Sequence, residues 1–224
     1  ALCRSHPEAK LTVLTFAPGG ELLKGDPLIH RIVCIEKSDN NPHLARKAVE
    51  ELLAQEKFDS IVSDTNYDGI EQVIQDSGAS RVVTNLWRSP PPNERVGERF
   101  LQILLAEELI QSDAIAPPQL HLSPSEQYHA EKLIGNIHHP LVILYSDAGM
   151  AIKRWSNANF VSLGQELQQR YNATIVVPIG SDPQQAEQIA REIGGATHVL
   201  PRGTLRELAS VMAKADLVVA SDTG

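Results

Sequence analysis

The sequence has no excess of basic charge: 20 Lys and Arg stand against 28 Asp and Glu, a formal net charge of −8. That argues against non-specific binding to nucleic acid, which needs a basic surface to displace counterions from phosphates. A local pocket for one small anion stays open. Cysteine is nearly absent. Cys3 and Cys34 form neither a disulfide framework nor a metal-ligand spacing. Cys34 lies inside the apolar run 31–35 and is expected as a buried free thiol, which fits a reducing, cytoplasmic setting. No apolar run approaches the roughly 20 residues that span a bilayer, and no signal peptide is expected. A D-x-D motif is missing, and the eight histidines are scattered, with no His/Asp/Glu cluster at ligand spacing.

What is present is alternation. Short β-branched runs at 11–16, 31–35, 60–62 and 81–84 are separated by helical stretches at 42–57 and 66–77. That order predicts βαβ units and a parallel sheet covered by helices. Over 93–110, Val96, Phe100, Ile103, Leu104 and Leu109 recur near helical spacing and predict a buried face. The adjacent Pro117 and Pro118 then break any helix, and the domain boundary is placed there, giving domains 1–120 and 121–224. Pro90-Pro91-Pro92 is expected as a loop between elements.

The second half carries sharper punctuation. Ser123-Pro124 caps and opens a helix running to about residue 137. A strand at 141–145 leads through Ser156 to a helix at 157–171, and a strand at 173–179 leads through Gly180-Ser181-Asp182-Pro183 to a helix at 183–193. After a strand at 198–200, Thr204-Leu205-Arg206-Glu207 is a capping box that opens a helix to about 214. A last strand, 216–220, is followed by four residues where a helix would ordinarily begin, and residues 1–6 resemble the tail of a helix. A piece of a longer protein is expected on that ground.

Three segments, in this order, resemble the ADP-heptose:lipopolysaccharide heptosyltransferase family, glycosyltransferase family 9. They are Tyr145-Ser146-Asp147-Ala148-Gly149 with Lys153-Arg154-Trp155 and Phe160; Val177-Pro178-Ile179-Gly180-Ser181-Asp182-Pro183; and Thr204-Leu205-Arg206-Glu207-Leu208-Ala209 through Ala215-Asp216-Leu217-Val218-Val219 to Asp222-Thr223-Gly224. The lead-in and strand 5–14 are also similar to that family. The resemblance implies a GT-B fold of two Rossmann-like domains, both incomplete at the chain ends. It further implies inverting transfer of a sugar, heptose in the family, from a nucleotide-diphospho-sugar to a lipopolysaccharide-core or other glycan acceptor.

The departing nucleoside diphosphate gains negative charge, which a metal or fixed donors and cations can neutralise. With no metal motif, the metal-free solution is preferred, and no cofactor is expected. The resemblance implies Lys153 as a phosphate-binding lysine, with amides at Ala148 and Gly149 and at Thr223 and Gly224 beside it. It places Asp222, Thr223 and Gly224 in the loop on the donor's phosphates and sugar, Gly203 beside the nucleobase, and Ser181 near the ribose, along with Asp182, Gln184 and Gln185. The family's catalytic aspartate corresponds to a position upstream of Ala1, so no residue is assigned as base. Local explanations compete throughout. A lysine is ordinarily a solvated surface residue, Asp and Thr before a helix are ordinarily caps, Arg154 at a helix start can simply lie along apolar surface, and Trp155 and Phe160 are expected as core anchors. The implied partners are an ADP-heptose-like donor and a glycolipid acceptor that would bring the protein to the cytoplasmic membrane face. A non-catalytic nucleotide-binding scaffold and a sugar-nucleotide epimerase of similar architecture are the alternatives, because a fold alone does not set a function.

Overall fold

The computed structural model describes residues 1–36, 43–84, 86, 95–135 and 137–221. The proline loop Pro90-Pro91-Pro92 and the terminal Asp222-Thr223-Gly224 lie outside them. The chain divides into two units, Ala1–His121 and Leu122–Gly224.

In the first unit, helix α1 (Leu2–Ser5) precedes strand β1 (Thr12–Phe16), helix α2 (Ala17–Leu23) and strand β2 (Arg31–Ile35). Then come helix α3 (Leu44–Gln55), strand β3 (Ser60–Val62), helix α4 (Ile70–Gln75), strand β4 (Arg81–Val83) and helix α5 (Val96–Ala106). β1 pairs in parallel with β2, Thr12 opposite Arg31, and β3 pairs in parallel with β4, Ser60 opposite Arg81. Ile35, Ala45, Ile70 and Ile74 form one buried cluster, and Val83, Leu86, Ile103, Leu104, Leu109 and Ile110 another.

Two expectations need correction here. Cys34 is exposed, not buried. Gly20 lets α2 close on the sheet, where an added Cβ would run into Cys34 Sγ and meet Ile32 at 3.3 Å and Thr15 at 3.5 Å. Val96, expected on the buried face of α5, is 43% exposed, while Leu109 is buried beyond the helix end.

The second unit comprises helix α6 (Pro124–Ile134), strand β5 (Leu141–Tyr145), helix α7 (Asn157–Tyr171), strand β6 (Thr174–Pro178), helix α8 (Pro183–Ile193), strand β7 (Thr197–Leu200), helix α9 (Leu205–Met212) and strand β8 (Leu217–Ala220). The four strands form a parallel sheet in the order β7-β6-β5-β8. β6 and the first four residues of β5 are wholly buried, as continuous apolar strands of a doubly covered sheet should be. On one face Phe160, Ile175, Val177, Ile189 and Ile193 pack together; on the other Leu141, Ile143, Val176, Leu200 and Val211 do so. Each fully buried large side chain contributes about 1.5–3 kcal/mol. Among the described residues β8 lies at the sheet edge, with Leu217 and Val218 exposed.

α6 and α9 are braced together. Glu126 receives two bonds from the guanidinium of the buried Arg206, one from Nε and one from Nη2 at 2.9 Å. The same carboxylate closes the Ser123 capping box. Among the described residues no helix is long and apolar enough to cross a membrane.

Candidate functional site

In the second unit the chain leaves β5 toward β6 and β7 on one side and returns through β8 on the other. The sheet's order therefore reverses between β5 and β8, and open α/β sheets bind ligands outside the carboxyl ends of the strands at such a point. The segment that leaves β5 there is Ser146 to Trp155, ending at the cap of α7.

One carboxylate organises this segment. Asp147 Oδ1 accepts from the backbone N–H of Ala148 at 2.8 Å and meets Arg154 Nη2 at 3.2 Å. Its Oδ2 accepts from the backbone N–H of Ser181, beyond β6, at 2.5 Å. Burial works to raise the Asp147 pKa, but the Ser181 backbone and hydroxyl, the Ala148 amide and Arg154 outweigh it, and the pKa is lowered overall. Gly180 makes the contact with the second loop sterically possible: a Cβ there would sit 2.5 Å from Asp147 Cβ. Arg154 also donates to the Ala148 carbonyl at 3.2 Å. On the other side, the Trp155 amide donates to the buried Ser221 hydroxyl at the end of β8, 3.2 Å away. The segment is thus clamped to the ends of both β6 and β8, on either side of β5.

The expected site residues fall into three groups. Gly149 and Lys153 are exposed on the clamped segment, Lys153 closing a 3-10 turn at Ala151–Lys153. Ala148 and Ser181 belong to the same cluster, but their N–H groups already serve Asp147 and do not face outward for a ligand. Ala148 is buried. Gly203 follows β7, two strands from β5, which is about 10 Å along the sheet edge. A Cβ there would meet Glu207 Cδ at 3.2 Å, so its smallness lets the Thr204 capping box close. Asp222, Thr223 and Gly224 are outside the described residues.

Two aromatic and basic residues behave differently from expectation. Phe160 is fully buried as a core anchor, but Trp155 is 43% exposed, because it precedes the α7 cap and only the edge of one ring meets the other, centroids 5.0 Å apart at 75°. Arg154 does not lie along apolar surface; it is held by Asp147 and Ala148. Asp147 itself was missed as a positioning residue. An aspartate directly after a strand carries only a local turn signal, and its partner at Ser181 is 34 residues away. Among the described residues no group of three His, Cys, Asp or Glu is placed to hold a metal.

Comparison with solved structures places this architecture. A glycosyltransferase family 9 protein from Veillonella parvula superposes with a TM-score of 0.80 at 13% identity, covering 97% of this chain and 67% of that one. E. coli ADP-heptose lipopolysaccharide heptosyltransferase II gives 0.67 at 15% identity, covering 99% and 72%. E. coli heptosyltransferase WaaC, solved with ADP-2-deoxy-2-fluoro heptose, gives 0.65 at 16% identity, covering 99% and 76%. None of the curated proteins matches the chain. The parallel α/β fold is therefore that of GT-B glycosyltransferases. The sequence matches the profile of glycosyltransferase family 9 (heptosyltransferase) over residues 86–224, more than half its length. The chain belongs to that family, and its class of activity is glycosyl transfer.

Proposed function

We propose that the protein is an inverting glycosyltransferase that moves a heptose-like sugar from an ADP-linked donor to a hydroxyl of a lipopolysaccharide-core glycan. The second unit takes the donor and the first the acceptor, whose lipid brings the enzyme to the cytoplasmic face of the membrane. One observation carries the reading: at the topological switch point, a segment clamped on both sides holds Gly149 and Lys153 at the exposed carboxyl edge of the sheet. Between β5 and α7 the segment carries Lys153 and Arg154 against the single carboxylate of Asp147, a formal excess of positive charge. That charge suits a diphosphate and a leaving group that becomes more anionic as the glycosidic bond breaks. Thr223 and Gly224, next along from Ser221, would complete the phosphate site. The E. coli neighbour has been solved with ADP, which supports the choice of nucleotide.

In this reading donor binding needs no metal. Calorimetry with ADP in the presence of a chelator is expected to show binding, and Lys153→Ala to weaken it by about 1–3 kcal/mol, as for a charge-assisted hydrogen bond. Absence of binding, or binding only with added divalent cation, would overturn the proposed donor site.

A further inference from the structure

Asp68-Gly69 is the single place in the sequence where an aspartate or asparagine precedes glycine. It lies in the loop between β3 and α4, and both residues hold left-handed backbone, with φ of 57° and 72°. Asp68 has a Cβ, so that conformation is strained for it. Its carboxyl group is unevenly supported. Oδ1 meets His43 Nδ1 at 2.7 Å, whereas Oδ2 is buried and, among the described residues, has no hydrogen-bond partner.

The surrounding groups fit a reaction within this loop. Gly69 is exposed and carries no side chain to obstruct an approach. Among the described residues its N–H donates to no acceptor. Three amides that follow other aspartates are engaged: Thr65 N–H with Ser63 Oγ at 3.1 Å, Ser77 N–H with the Ile74 carbonyl at 3.2 Å, and Ala148 N–H with Asp147 Oδ1 at 2.8 Å. A carboxylate only accepts, so His43 donates to Oδ1 and draws electron density from Cγ. Arg46 Nη1 donates to the Asp68 backbone carbonyl at 3.3 Å. Each of the two carbonyl carbons of Asp68 therefore has a donor on its oxygen, where negative charge develops during attack.

We infer that Asp68-Gly69 is a site of spontaneous modification, at which the aspartate converts to isoaspartate. The Gly69 nitrogen attacks Asp68 Cγ, and the new C–N bond closes a succinimide ring while a carboxyl C–O bond breaks. Oδ2 leaves as water, taking the amide proton and one proton from solvent, and Oδ1 stays as an imide carbonyl beside His43. Water then adds at the backbone carbonyl carbon that Arg46 polarises, and the C–N bond there breaks. The chain now runs through Cβ and Cγ, one carbon longer at the entry to α4, whose Ile70 and Ile74 are buried. Ageing of the full chain at mildly acidic pH in water labelled with heavy oxygen, followed by peptide mapping, tests this. Wild-type protein is expected to take up label in the peptide spanning Asp68-Gly69, and isoaspartyl methyltransferase should methylate that product. Asp68→Glu should abolish both signals, with a thermal melt to show that the variant is folded. His43→Ala should slow the uptake, and Arg46→Ala should lower the isoaspartate share of the labelled product. No uptake in folded wild type, uptake only in urea-denatured protein, or unchanged behaviour of both donor variants would each overturn the inference.

Discussion

Asp147 joins two stretches of chain with one carboxylate, and its substitution should be felt well beyond its own turn. Asp147→Ala removes bonds to the Ser181 and Ala148 amides and takes the carboxylate away from Arg154. The expected cost is about 1–3 kcal/mol of stability, together with weaker ADP binding through a loosened Lys153 segment. Thermal melts and calorimetry on the one variant read both. Gly180→Ala attacks the same contact from the opposite loop, since the new methyl would overlap Asp147. It should destabilise by a comparable amount, about 1–3 kcal/mol, as overpacking does. Equal behaviour of Gly180→Ala and wild type in a denaturant melt would mean that the two loops are not pressed together.

Between elements of the second unit, the α6–α9 brace is titratable. The Arg206 guanidinium first, and then the Ser123 backbone, hold the Glu126 pKa down to about 2, against an ordinary 4.5. A carboxylate depressed in the folded state contributes stability that is full above its ordinary pKa and is lost as the pH falls through the folded value. Melts between pH 5 and pH 2 should therefore lose a component in wild type that Glu126→Gln lacks throughout, and a parallel pH profile in the two proteins would count against the brace. This is also the scale at which the sequence was most informative. Ser123 with Glu126, Thr204 with Glu207, and Asp182 with Pro183 are local patterns, and each caps a helix where the residues stand. Features that depend on distant chain were harder to see. The exposure of Trp155 follows from its place before a cap, and the late start of α4 from left-handed backbone at Asp68 and Gly69. Within the site, Lys153 was legible as part of a motif; the inward turn of the Ala148 amide was not, because it depends on where the Asp147 side chain goes.

Across the whole molecule, protection is distributed unevenly. β5 and β6 sit between buried faces on both sides, whereas the described residues of the first unit form two separate two-stranded pairings. Native-state hydrogen exchange should find its slowest amides in β5 and β6 and faster ones in β1 to β4. Uniform exchange rates across these strands would contradict that ordering. The edge strand β8 has a different bearing, on how the purified protein behaves in a tube. Among the described residues, Leu217 and Val218 are exposed on a strand paired on one side only, a template for pairing with other chains. At low ionic strength the net charge of −8 keeps molecules apart. Salt screens that repulsion, so light scattering should rise with both protein and salt concentration, and Val218→Lys should suppress the rise. Storage buffer, and not only temperature, will then decide how long a preparation stays monodisperse.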